Sequence, residues 1–417
     1  MVVVIECACG AKLKTTAAQA GKSGRCPKCG AIVTIPATPS AEPPPVEAAP
    51  QAAVAPATPP PPSAPAPEPE SAVEATSDPE APAVERRPRP KAEEPVLEPW
   101  QVLRSWQAHD GTLTAMTFAG DGRFLVTGGA DRLVRVWDLA SGAEVASLGP
   151  FDYVPRVVRF CAATRMLAVA LERAHDAGEG GPAANVLLFD LNTREQKLAF
   201  SAHRDLVLGL AFNTDGSILA TGGDCADDGD SPTICFWQPT TGEPLGSGRA
   251  ADTSEVRELT PDPLGRGVYA ACWQTITRWE WDGCELKETV NSGSWDQFRS
   301  LSVSPDGRYV AGGCFEYLRI WDLAEARTLG HLTGYNADVT STSWAYDSRR
   351  VVGASNPEGR WEPGLVMLWD ALDHRLLAEL TTQSGAKVIE VRFVPKRPLI
   401  VGGDNEGAVS LWGLHES

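Results

Sequence analysis

Four cysteines open the chain in two close pairs, Cys7-x-Cys9-Gly and Cys26-Pro-Lys-Cys29-Gly, with 16 residues between the pairs. Short turns of this kind present two sulfurs from one side, and the glycine after each pair lets backbone amides point inward at the thiolates. Four thiolates from two such knuckles suit a tetrahedral Zn2+ site. Residues 1–35 are too few to bury the apolar area that folding requires, so metal binding supplies the folding free energy of this head. The pattern predicts two hairpins: strands at 2–5 and 12–15 around the first knuckle, and a strand at 31–35 after the second.

The head resembles the small zinc ribbons of the form C-x-C-G…C-P-x-C-G that start many large bacterial proteins, planctomycete ones especially, ahead of Pro/Ala-rich linkers. Its one acid is outnumbered by Lys12, Lys14, Lys22, Arg25 and Lys28, a local positive field that suits nucleic acid or an acidic partner. It has no aromatic residue for base stacking. Ala20-Gly21-Lys22-Ser23 imitates the end of a phosphate-binding loop, but Thr16 stands where that motif needs a glycine.

Of the 34 prolines, 20 fall between Pro36 and Pro99. A chain of Pro, Ala and Glu buries too little to offset its ordering entropy, so 36–99 reads as a disordered linker. The net charge of −17 is then a +4 head, a −7 linker and a −14 remainder at 100–417. No run approaches the ~20 apolar residues of a membrane span, and Met1 to Ile5 is too short for a signal-peptide core. The expectation is a soluble, cytoplasmic protein with no membrane partner, and a reducing compartment that keeps the thiolates free.

Residues 100–417 repeat an ending of the form hydrophobic-x-hydrophobic-aromatic, with its aromatic residue at 137, 189, 237, 279, 321, 369 and 412. The steps of 52, 48, 42, 42, 48 and 43 residues fit a four-stranded unit of about 40–45 residues with insertions. Within the first unit the alternation predicts strands at 113–118, 124–127, 133–137 and 145–148. Thr214-Asp215-Gly216 and Pro305-Asp306-Gly307 repeat its Gly120-Asp121-Gly122 turn.

At these residues the body closely resembles the WD40-repeat family, which implies an all-β, seven-bladed β-propeller. The resemblance implies a buried hydrogen-bonded tetrad that stabilises a blade without doing chemistry: His109, Thr127, Asp131 and Trp137 in the first repeat. His203, Thr221, Asp224 and Trp237 are the matching set in the third. Residues 100–106 have no partners in their own repeat and the seventh repeat stops after Leu414, so pairing between the two would close the ring and remove its edge.

Aligning first strands makes Thr114, Arg156, Leu208, Arg257, Arg299, Thr340 and Ile389 equivalent. The resemblance puts them at the rim of a central channel, where the three arginines can fork onto carboxylates or phosphates. Pairing with the nearby acids Asp152, Glu255 and Asp296 is the other reading. Insertions at 172–184, 224–232 and 356–364 enlarge one face, and Trp361 is an aromatic anchor in a polar loop. With no nucleophile-base motif, the expected function is a non-enzymatic scaffold for protein-protein interaction, its propeller monomeric. Nucleic-acid binding by the ribbon and an enzyme acting at the channel mouth are the alternatives.

Overall fold

A computed structural model describes residues 97–172, 184–204, 206–223, 232–249, 255–291, 297–357 and 364–414, with the backbone of 2–6, 12–16, 23–25 and 32–34. The chain divides into Met1–Arg87 and Pro88–Ser417. In the first unit Val2–Glu6 pairs antiparallel with Lys12–Thr16, and Ser23–Arg25 with Ile32–Thr34. The strand Ser23–Arg25 escapes the apolar pattern because Ser-Gly-Arg offers no alternation to read. Cys7, Cys9, Cys26 and Cys29 fall between the paired strands of these hairpins and lie outside the described residues, as does most of 36–99.

Every regular element described in the second unit is a strand. The first sheet runs Leu113–Ala119, Phe124–Gly129, Val134–Asp138, Ala143–Leu148, each strand antiparallel to the one before. The next three sheets repeat this meander from Pro155–Phe160, Val207–Phe212 and Glu258–Pro261. Tight turns join the strands, and Gly216 and Gly307 take φ of +74° and +69° there, a conformation open to glycine at no steric cost.

The fifth sheet has seven strands, and its middle strand, Arg327–Trp344, explains why. The first part of that 18-residue strand pairs with Phe315–Asp322, and its last part, from Val339, pairs with Arg350–Ser355. One strand therefore serves as the last of one four-stranded meander and the first of the next. The final sheet runs Val388–Phe393, Leu399–Asp404, Ala408–Leu414 and then Trp100–Gln107, with Leu414 opposite Trp100 and Ala408 opposite Gln107.

A half-buried sheet leaves one apolar face in need of cover, and here each sheet covers its neighbour. Val126 and Val136 of the first meander pack with Leu167 and Val169 of the second. Similar shared clusters follow around the chain until Leu113, Met116 and Trp137 of the first meander pack with Val401, Val409 and Leu411 of the last. Phe236 and Trp412 are among the largest fully buried side chains. Five cysteines described in this unit are free thiols, four of them buried, as small core residues are.

The aspartate after the closing aromatic has a recurring partner. Asp138, Asp322 and Asp370 pair with Arg123, Arg308 and Arg349 at 3.3, 2.9 and 2.7 Å. Asp138 also accepts the Ser141 backbone N–H at 3.0 Å, holding the turn to the outer strand.

Deleting residues 100–107 strips Ala408–Leu414 of its outer partner and uncovers Trp412. The expected result is a broadened thermal transition with aggregation, read by circular dichroism and size-exclusion chromatography. An unchanged cooperative melt would contradict it.

Candidate functional site

The first strands of five meanders carry a β-bulge at one place. Their ladders slip between Leu113 and Ala115, Pro155 and Val157, Val207 and Gly209, Val339 and Ser341, and Val388 and Glu390. The extra residue is Thr114, Arg156, Leu208, Thr340 or Ile389. A bulge leaves one residue unpaired and re-aims its side chain. Arg257 and Arg299 stand just before the first strands of the other two meanders. All seven residues line one cleft of about 390 Å³, so the aligned positions do converge in space.

The three arginines are held in different ways. Arg156 is 3.4 Å from Glu172, not engaged with Asp152. Arg257 pairs with Glu255, and burial holds its guanidinium below its ordinary value while Glu255 opposes that effect. Arg299 Nε lies 2.8 Å from Asp338 Oδ2, a charge contact that lacks hydrogen-bond alignment. Asp296 lies outside the described residues. Trp273 joins two of the three: the Arg257 and Arg299 guanidinium carbons sit 4.5 and 5.6 Å from its ring centroid, a cation–π arrangement that restrains both side chains. The Arg257 Nε is buried and finds no hydrogen-bond partner among the described residues.

Four further charged residues line the cleft. Glu258 Oε1 is 3.5 Å from both Arg159 Nη2 and Arg392 Nη2, and its Oε2 accepts the Leu301 N–H at 2.7 Å. Arg392 also pairs with Glu390 at 2.6 Å. Three separate first strands are thus tied together through one carboxylate. Burial and the charge of Arg392 hold Arg159 below its ordinary value. Burial also works against the charge of Arg392, yet Glu390 and Glu258 keep it above its usual range. Sequence reasoning passed over this cluster and Trp273. Its one signal is charge at inward strand positions, as in Val158-Arg159-Phe160 and Val391-Arg392-Phe393. The lining holds five arginines against three glutamates, within a body of strongly negative charge. Such a cleft attracts anionic groups and offers them planar, two-pronged donors.

The histidine sets lie in the sheets themselves. Trp137 Nε1 donates to Thr127 Oγ1 at 2.9 Å, and that hydroxyl is 2.7 Å from His109 Nε2. His109 Nδ1 is 2.9 Å from Asp131 Oδ1. The same Nδ1 is 2.8 Å from Arg135 Nη1, so it faces a carboxylate and a guanidinium together. Asp131 also takes Arg135 at 2.6 Å. In the third meander Trp237 Nε1 and His203 Nε2 each lie 2.9 Å from Thr221 Oγ1; Asp224 lies outside the described residues. A Cβ on Gly129 or Gly223 would stand 2.3 or 2.6 Å from the histidine ring, so only glycine admits the imidazole there.

Units without the set satisfy the closing indole by other means. Trp279 donates to Thr277 at 3.0 Å, Trp369 to the Tyr335 hydroxyl at 3.2 Å and Trp412 to the Thr381 carbonyl at 2.9 Å. Packing is therefore supplemented by one directed hydrogen bond in these units, a feature invisible to motif matching. Trp361 and the three insertions fall largely outside the described residues.

A family model described as "WD domain, G-beta repeat" matches residues 100–138 and 194–237, the two stretches that hold the His-Thr-Trp sets. Echinoderm microtubule-associated protein-like 2 of Mus musculus is 25% identical over 284 residues, covering 66% of this chain and 39% of that protein. Protein tipD of Dictyostelium discoideum is 23% identical over 310 residues, covering 63% and 49%. Periodic tryptophan protein 2 homolog of the same organism is 24% identical over 234 residues, covering 55% and 24%. The chain spans half or less of the length of these curated relatives. Residues 100–138 and 194–237 match WD40 repeats, and the antiparallel four-stranded sheets are consistent with a WD40 propeller.

Burial holds the His203 imidazole down to about 4, from an ordinary 6.5. The unfolded chain therefore takes up that proton first, and the stability is complete above pH 6.5 and withdrawn as pH falls toward 4. The loss amounts to up to about 3 kcal/mol. His203→Asn should lower stability at pH 7 and flatten its decline between pH 7 and 4.5, measured by urea denaturation. A decline as steep as the wild type's would exclude His203 as its source.

Proposed function

We propose that this chain is a non-enzymatic protein-interaction scaffold whose meanders form a seven-bladed β-propeller, with the arginine-bearing cleft as its docking face. WD40 repeat proteins bind other proteins in general. The cyclic sharing of apolar clusters, from the first meander round to the last and back, supports the ring. The observation that carries the docking face is the convergence on one cleft of residues in, or just before, all seven first strands. Arg156, Arg257 and Arg299 at its mouth are held in place by acids and by Trp273, so little side-chain entropy is left to lose when a partner's carboxylate or phosphate arrives. The ionisable groups among its described lining residues are arginines and glutamates, without a histidine or cysteine to act as base or nucleophile.

The head is proposed as a second contact, folded by Zn2+ on Cys7, Cys9, Cys26 and Cys29. The donor set fits the metal: four thiols, two in the connection of each of two hairpins. Bound zinc would supply folding free energy rather than reactivity. Cys26→Ser with Cys29→Ser removes half of the donors. The expected outcome by elemental analysis is one zinc per wild-type chain and little in the variant, with the melting of the body unchanged. Absence of zinc from the wild-type protein purified without chelator would refute the ribbon.

The docking reading is tested by affinity purification of the full chain from its own cell extract. A defined set of proteins should accompany the wild type and be lost when Arg156, Arg257 and Arg299 are replaced by alanine. Only the Arg156–Glu172 pair is exposed, while the Arg257–Glu255 and Arg299–Asp338 pairs are half-buried, so a thermal melt first checks that the triple variant is folded. The same proteins retained by the variant, or none enriched over an unrelated bait, would overturn it.

A further inference from the structure

A second cavity, of about 310 Å³, lies between the first two meanders and away from the arginine cleft. Its floor is apolar: Phe124, Val136, Ala146 and Phe160 line it. That volume is at the lower end of ligand sites, which run from about 300 to 1,000 Å³, and it admits one or two side chains rather than a whole domain.

Along one side runs Ala143–Leu148, the outer strand of the first meander, which pairs only with Val134–Asp138. Val145 on this strand is 40% exposed. An outer strand offers unpaired backbone groups to an extended peptide. Arg194 from the second meander already donates to the Val145 carbonyl at 3.0 Å, which shows that the edge is within reach of a donor from across the groove.

The charge around the groove is one-sided. Arg123, Arg165 and Arg194 line it against the single acid Asp138, although acids outnumber bases in the body as a whole. Arg123 is shared between Asp138, at 3.3 Å, and the face of Phe124, at 4.8 Å. Arg194 meets a neutral carbonyl. Arg165 is exposed and forms no ion pair among the described residues. Two of the three cations thus lack a carboxylate among the described residues.

We propose that this groove docks an extended segment of a partner protein, in which an apolar anchor side chain is flanked by carboxylates. The anchor fills the cavity, the backbone runs beside Ala143–Leu148, and the flanking acids pair with Arg165 and Arg194. The site is separate from the arginine cleft and does not depend on it.

A random twelve-residue peptide library displayed on phage and selected against the full chain tests this. Enriched peptides should carry Asp or Glu on both sides of a Leu, Ile, Phe or Trp. Their affinity, read by fluorescence anisotropy of the synthetic peptide, should weaken with salt. Arg165→Glu with Arg194→Glu should weaken it by about tenfold or more, and replacing Arg156, Arg257 and Arg299 by alanine should leave it unchanged. Both substituted groove residues are exposed, and a thermal melt checks that the variant is folded. Failure to enrich any peptide, enrichment of peptides without acids, or binding that survives the groove variant would overturn the proposal. So would binding lost with the cleft variant instead.

Discussion

No meander in this protein buries its own apolar face, and everything else in the body follows from that. Val126 and Val136 need Leu167 and Val169, which belong to the next sheet. A linear stack built this way would end in two uncovered faces at about 25 cal/mol per Å² of apolar surface. The chain avoids that outcome by packing its last sheet against its first, through Val401, Val409 and Leu411 against Leu113, Met116 and Trp137. Trp100–Gln107 then supplies the outer strand that the last sheet lacks. The most distant parts of the body in sequence are neighbours because an open end would be both wet and sticky.

Closing the cycle also creates the cleft. Once the first strands face one another, any residue at the start of those strands points at a shared space. The bulges at Thr114, Arg156, Leu208, Thr340 and Ile389 turn that geometry into a lined site. Deeper in, Glu258 sits between Arg159 and Arg392 and takes a backbone N–H from Leu301. Buried charges are tolerated where they are paired and hydrogen-bonded, and this cluster spans strands far apart in the cycle. The cleft thus has an internally satisfied base beneath a mouth where Trp273 braces Arg257 and Arg299.

The period of the closing aromatics, the strand alternation and the His-Thr-Trp sets at 109, 127, 137 and at 203, 221, 237 were all legible without coordinates, because each is a local pattern. Alignment of first strands also found the cleft mouth, since a repeated unit places equivalent residues in equivalent positions. The partners of those residues were less legible. Arg156 turns to Glu172 rather than Asp152, and Arg299 to Asp338, three strands away in the same sheet. Distance along the chain is a poor guide to ion pairing when every sheet faces two others. The continuous strand Arg327–Trp344 was hidden for a different reason: Gly334 and Asn336 stand at the change from one meander to the next, as turn residues would, yet one strand runs through them and serves both.

The residue pattern alone determined an all-strand body of repeating meanders, a cysteine-rich head and a proline-rich stretch between them, because period and spacing reflect backbone geometry and ligand chemistry directly. Tertiary structure alone decided which charges meet. It set Glu258 between two arginines, put Trp273 under two more, and left Arg165 and Arg194 without a carboxylate among the described residues beside an apolar groove. Those arrangements depend on contacts between sheets, and contacts between sheets follow from the closure of the cycle rather than from any segment within it.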